Sequence, residues 1–241
     1  GGIEARRFDD YTDKLRDAFV VLDAEDRKAI IFEGIKSAAF VHGLEMIPDE
    51  GLLNEVAGLV EYPTVYIGAI RDGFMDVPAE VLQTSMRTHQ KYFSLREPES
   101  SIGKPGRMAN RFALVANMVA KDGGKEIVAG NERVLRARLS DAKFFWDEDR
   151  KKPLAARVEK LKGVIFHAKL GTQYARITRI VPSAAGIARI IGGDEEKAKR
   201  AALLAKADLT TGVVGEFPEL QGVMGRYYAL HDEEDEAVAD D

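Results

Sequence analysis

The sequence predicts an α+β fold, with a mixed first half followed by an all-helical second half. Three observations carry this. Runs rich in β-branched and aromatic residues, at Thr64–Ile70, Lys91–Leu95 and Arg111–Met118, are interleaved with helical segments in the first half. After Glu126 the strand signals stop and apolar residues recur at helical spacing. Arg150–Pro153 then interrupts that spacing and divides the chain into residues 1–150 and 151–241.

Taken in order, Leu15–Leu22 (LRDAFVVL) reads as a short strand. Asp23 is placed to cap a helix, with Glu25 and Asp26 setting negative charge in its first turn. Ile31, Ile35, Ala38 and His42 form its apolar stripe. A second helix covers Glu50–Leu59, and Pro63 separates it from the strand at Thr64–Ile70. Asp72-Gly73 marks a turn, and Pro78 suits the first turn of a helix running through Met86. Two further strands flank the turn-rich Ser100–Gly106, and Lys121–Gly124 is another turn. Leu135, Leu139, Ala142 and Trp146 fall on one helical stripe, leaving Arg133, Arg136 and Arg138 off it. Beyond Pro153, helices are expected over Leu154–Leu161, over Tyr174–Ile191 with a break or kink at Pro182, over Asp194–Thr211, and from Pro218. Asp232–Asp241 would be a solvated acidic tail if it were a true terminus.

Composition excludes several function classes. With 241 residues, 45% of them hydrophobic, the chain can bury a core without disulfides or metal. It has no cysteine, which removes disulfides, thiolate metal sites and cysteine nucleophiles. No apolar run reaches the ~20 residues of a membrane span, and no signal peptide opens the chain. The expectation is a soluble, cytoplasmic protein with no membrane partner. The net charge of −5 conceals an asymmetry: residues 87–169 hold 19 Lys and Arg against 10 Asp and Glu, while the remainder holds 16 against 30. That partition fits one surface facing a polyanion, or merely solvated helix faces.

Catalytic motifs are missing. Gly124-Lys125 lacks the preceding glycine and following Ser or Thr of a phosphate-binding loop. No G-x-S-x-G elbow and no H-x-x-x-H pair occurs among the four histidines. Glu216 and Glu219 flank Pro218 and read as helix-start caps rather than an acid–base pair; His231-Asp232 lies in an acidic run and carries no metal expectation. The run Thr84–Phe93 is dense in hydrogen-bonding and aromatic groups at a helix-to-strand junction, so Arg87, His89, Lys91 and Tyr92 are candidates for stacking on and neutralising RNA. Arg133, Arg136 and Arg138 join them as phosphate contacts, although Glu132 and Asp141 stand within helical reach of Arg136 and Arg138.

Several blocks in one order carry a resemblance: Gly58–Pro63 (GLVEYP), Val77–Leu82 (VPAEVL), Thr84–Phe93, Gly130–Ala142 (GNERVLRARLSDA) with Phe144–Trp146, Phe166–Thr172 (FHAKLGT), Lys206–Leu209 and Val214–Ala229 (VGEFPELQGVMGRYYA). The chain resembles the β subunit of bacterial α2β2 glycyl-tRNA synthetases over nearly its whole length, as an internal piece of it. The resemblance implies that ATP and Mg act at the α subunit, with no cofactor here. It also implies that the partners are the α subunit and tRNA(Gly), and that this piece supports tRNA binding and assembly without being catalytic. Residues 1–150 would correspond to a region similar to the substrate-sorting part of the phenylalanyl enzyme's large subunit, and 151–241 to a truncated HD-like helical domain. Active HD phosphohydrolases carry a metal-binding His-Asp pair where this chain has Ala205-Lys206, leaving only Asp208 nearby. A metal-dependent phosphohydrolase acting on nucleotides is therefore the alternative reading, and a protein-interaction scaffold without RNA is a third.

Overall fold

A computed structural model describes residues 2–99 and 106–240. The expected turn at Ser100–Gly106 lies outside them except for Gly106. The chain forms two compact units, residues 1–139 and 140–241.

The first unit opens with α1 (Phe8–Asp17) and α2 (Ala24–Val41). The strand expected at Leu15–Leu22 is not there. Its first half is the end of α1, where Lys14 pairs with Asp10 one turn back, and only the stretch after Phe19 is extended. A left-handed Phe19 (φ 62°) turns the chain so that the Val21 N–H reaches the Glu61 carbonyl. An apolar run without alternation does not distinguish these outcomes. Asp23 caps α2 as expected, accepting the Glu25 and Asp26 N–H groups. The buried stripe is Ile31, Ile35 and Ala39; Ala38 is half-buried and His42 is exposed. The α-helical phase drifts, so the third apolar position moves on by one.

Next come β1 (Glu45–Met46), α3 (Glu50–Leu59) and β2 (Thr64–Ala69), with Asp49 capping α3 through the Leu52 N–H. α4 (Ala79–Ser85) runs into one wide turn over Met86–Gln90, followed by β3 (Phe93–Arg96) and β4 (Met108–Ala116). The strands form an antiparallel sheet in the order β1-β3-β4-β2. α2 and α3 cover one face, where Ile31, Ile35, Leu52 and Val56 pack on Phe93 and Leu95. Phe112, on the opposite face by the two-residue alternation, stacks on Tyr92.

α5 (Lys125–Asp149) begins in the first unit and continues into the second. Asp122 starts it, accepting the Gly124 and Glu126 N–H groups; these bonds hold its carboxyl below the usual range. Leu135, Leu139, Ala142 and Trp146 are all buried, as the spacing predicted.

In the second unit a 3-10 turn at Leu154–Gly163 is followed by β5 (Ile165–His167) and β6 (Gly171–Thr172), which form an antiparallel hairpin. The second half is thus not all-helical. The hairpin's apolar residues are exposed, so no burial pattern announced it. α6 (Gln173–Ile191) is continuous through Pro182. α7 (Glu195–Leu204), capped by Asp194, stops well short of Thr211, because Ala207–Thr210 tightens into a 3-10 turn that carries Asp208 inward. α8 (Gly212–Glu216), a 3-10 turn at Pro218–Leu220, α9 (Val223–His231) and α10 (Glu236–Ala239) complete the unit. Neither Glu216 nor Glu219 caps a helix: Glu216 ends α8, and Phe217 precedes the turn that Pro218 opens. The acidic end is not a free tail either. Glu234, Asp235 and Asp240 pair with Arg200, Lys197 and Arg226, and Val238 is buried.

Among the described residues no helix is long and apolar enough to cross a membrane.

Candidate nucleic-acid interface

The junction after α4 is built around a left-handed residue. The wide turn Met86–Gln90 ends at Lys91 (φ 57°), whose reversal sends Tyr92 inward while Arg87 and His89 stay exposed. Wide turns of this kind recur at functional sites.

Tyr92 does not offer a stacking surface. It is 4% exposed, its ring lies on Phe112 with centroids 4.6 Å apart, and its hydroxyl donates to Asn131 Oδ1 at 2.5 Å. Burial pushes its phenol up to about 12. Base stacking needs an open ring face, so Tyr92 is a buttress that ties the junction to α5. Asn131 in turn donates to the Ile127 carbonyl at 2.7 Å.

The cations of the junction are met by acids of α3. Arg87 Nε lies 2.6 Å from Asp49 Oδ2, and Lys91 Nζ lies 2.7 Å from Glu55 Oε1. Both pairs are substantially exposed, so their strength is modest and a phosphate can compete for either cation.

On α5 the buried stripe turns Arg133 and Arg138 outward and leaves Arg136 half-buried. Glu132 is occupied: its Oε1 accepts the Ala69 N–H, an outward-facing group of edge strand β2, at 2.7 Å. Arg136 and Arg71 flank a cavity of about 190 Å³ whose floor is Ile70, Leu135 and Leu139. Arg133 and Arg138 are therefore the members of the candidate set that are exposed and make no ion pair among the described residues. Sequence reasoning missed Asp49, Glu55, Arg71 and Asn131, which reach the site from 36 or more residues away or across the sheet edge. No local spacing marks such partners.

The structure also defines the surroundings of Ala205, Lys206 and Asp208, where the HD-like resemblance would place a metal pair. Asp208 is fully buried, and its Oδ2 accepts the Gly222 N–H at 2.6 Å at the start of α9, with Gly225 beside it. Desolvation raises its carboxyl while the Gly222 and Gly225 N–H groups oppose the rise. Lys206 reaches Gln221 Oε1 at 3.1 Å. Ala205 offers no donor atom and Lys206 only a cation, so these residues do not fit a divalent ion. Among the described residues no three His, Asp or Glu side chains gather as a metal site.

The family described as glycyl-tRNA synthetase beta subunit matches residues 1–241. The glycine–tRNA ligase beta subunit of Phenylobacterium zucineum is 52% identical over 97% of this chain and 34% of its own length. The proteins of the same name from Rhodospirillum centenum and Paracoccus denitrificans are 54% and 52% identical, again over 97% of the chain, and over 32% and 34% of their own lengths. The chain thus spans about a third of the relatives it matches. It belongs to the glycyl-tRNA synthetase β-subunit family.

Proposed function

We propose that this chain is part of the β subunit of a bacterial glycine–tRNA ligase, where it supports tRNA binding and assembly with the catalytic α subunit for ATP-dependent glycylation of tRNA(Gly). The match to β subunits over 97% of the chain carries the reading. The α5 arginine row supports the tRNA role. Arg133 and Arg138, with Arg136 beside them, take backbone phosphates; Arg87, His89 and Lys91 form a second contact, and Tyr92 fixes its geometry. ATP and Mg belong to the α subunit in this reading, as the resemblance to the family implies. Residues 1–150 would serve as the portion similar to the phenylalanyl enzyme's sorting region, and 151–241 as an HD-like domain whose metal pair has been lost.

The test is tRNA(Gly) affinity across a salt series for the wild type and for Arg133→Ala/Arg138→Ala. Each lost phosphate contact should lower the slope of log affinity against log salt by about 0.9 on duplex RNA, for cognate and non-cognate tRNA alike. A folded variant with unchanged affinity and slope would assign the row to the α subunit or to solubility. Glycine-dependent pyrophosphate exchange by the chain alone would overturn the division of labour.

A further inference from the structure

The Phe166–Thr172 block, singled out in the sequence, has no part in the site above. Its surroundings are chemically unusual. Between Lys160 and Gly193 there is no Asp or Glu, while the stretch holds Lys160, Lys162, Lys169, Arg176, Arg179 and Arg189. Thirty-four residues without an acid, in a chain of net charge −5, make this the most one-signed stretch of the sequence.

The fold gathers five of these cations and leaves Arg189 in the last turn of α6, paired with Glu195. The Arg176 guanidinium lies 4.3 Å from the Phe166 ring centroid, which brings the start of α6 onto β5. Arg179 Nη2 donates to the Leu170 carbonyl at 3.4 Å, at the hairpin turn. Lys162 Nζ lies 4.7 Å from the Tyr174 ring, joining the preceding 3-10 turn to the same surface. Lys160 and Lys169 are exposed beside them. Glu159, paired with Lys162, is the nearest acid in sequence. The start of α6 adds the positive end of a 19-residue helix.

The hairpin also keeps apolar groups in solvent: Ile165 is 69% exposed, Leu170 55% and Phe166 38%. A merely solvated charged face would not need them. Cations clustered around an exposed aromatic and two aliphatic side chains are the chemistry of a surface that neutralises phosphates and packs on riboses and base edges.

We infer that the β5–β6 hairpin with the first two turns of α6 is a further RNA-contacting surface, neutralising backbone phosphates through Lys160, Lys169, Arg176 and Arg179. The inference rests on the tRNA-binding reading of the chain but not on the α5 arginines.

Lys160 and Lys169 make no side-chain hydrogen bond or ion pair among the described residues, so Lys160→Ala/Lys169→Ala should fold normally. Binding of tRNA is measured across a salt series for wild type, this variant, Arg176→Gln/Arg179→Gln, and the charge-matched control Arg7→Ala/Lys36→Ala. The lysine variant should lower the salt slope by roughly 1.4 to 1.8, the value for two phosphate contacts, and weaken binding on the order of tenfold near physiological salt. The control should move neither. If wild type binds tRNA and both hairpin variants match the control, this surface is overturned while the tRNA reading stands. If wild type does not bind at all, both fall. Loss confined to the arginine variant, whose side chains also hold the hairpin in place, counts against phosphate neutralisation by the surface.

Discussion

Tyr228 donates its hydroxyl to Asp149 Oδ2 at 3.0 Å, joining α9 to the end of α5 across 79 residues of chain. The same carboxylate accepts the Gly212 and Val213 N–H groups at the start of α8 and the Arg157 guanidinium. Burial and the Asp149 charge both raise the Tyr228 phenol. Removing the carboxylate with Asp149→Ala strands a buried guanidinium and two N–H groups, so unfolding free energy should fall by about 3–5 kcal/mol. Tyr228→Phe removes one donor of several and should cost about 1 kcal/mol. Denaturant titrations of both variants check the order. Equal losses would mean the hub is not organised by the carboxylate.

Asp208 supplies a pH test. Because burial raises its carboxyl above the ordinary value of 3.8, the folded state holds its proton more tightly than the unfolded state. The stability this contributes is full below about 3.8 and is lost as pH rises through the folded value. Asp208→Asn keeps an acceptor for the Gly222 N–H and removes the ionisation, so at pH 7 it should melt at or above wild type. That advantage should shrink towards pH 4. A variant that melts far below wild type at pH 7 and recovers at pH 4 would reverse the sign.

Tyr92 tests the junction at the other end of the scale. Its phenol, raised to about 12 by burial, contributes stability present below about 10 and lost as pH climbs towards 12. Tyr92→Phe should cost about 0.5–1.5 kcal/mol at neutral pH through the lost bond to Asn131. The gap between variant and wild type should close in alkali. An absorbance titration in which the variant loses no late-ionising phenol would rule out the buried placement.

Gly124 and Gly130 should respond in opposite directions to alanine. Gly124 has φ 86°, and a methyl there would stand 2.1 Å from the Tyr66 ring, so Gly124→Ala should lower stability by more than about 2 kcal/mol. Gly130 lies inside α5 with open space around it, and Gly130→Ala should add about 0.5–1 kcal/mol. Paired thermal melts decide between them. A stabilising Gly124→Ala would mean that the turn before α5 is built differently.

Local signals were legible where one element decides its own fate. The α3 bounds follow from Glu50 to Leu59, the cap from Asp23, and the buried side of α5 from four apolar residues at helical spacing. The readings that failed depend on partners. Nothing inside LRDAFVVL says that Val21 will meet Glu61 rather than a neighbouring strand. The β5–β6 hairpin buries no apolar stripe, so periodicity had nothing to detect. At the candidate site, the outward turn of Arg133 and Arg138 could be read from the stripe they avoid. The inward turn of Tyr92 could not, because it rests on Lys91 reversing the chain and on Asn131 waiting 39 residues later.

The acidic segment at 232–240 is held down by the cations of α7 and α9 and by one buried valine. Composition alone would make it the natural place for a protease to enter. Docked as it is, the backbone there is withheld from a cleft that needs several extended residues, and access depends on how often three ion pairs, two of them exposed, let go together. Those pairs weaken as salt rises, so nicking of this segment should accelerate with ionic strength while the rest of the chain resists.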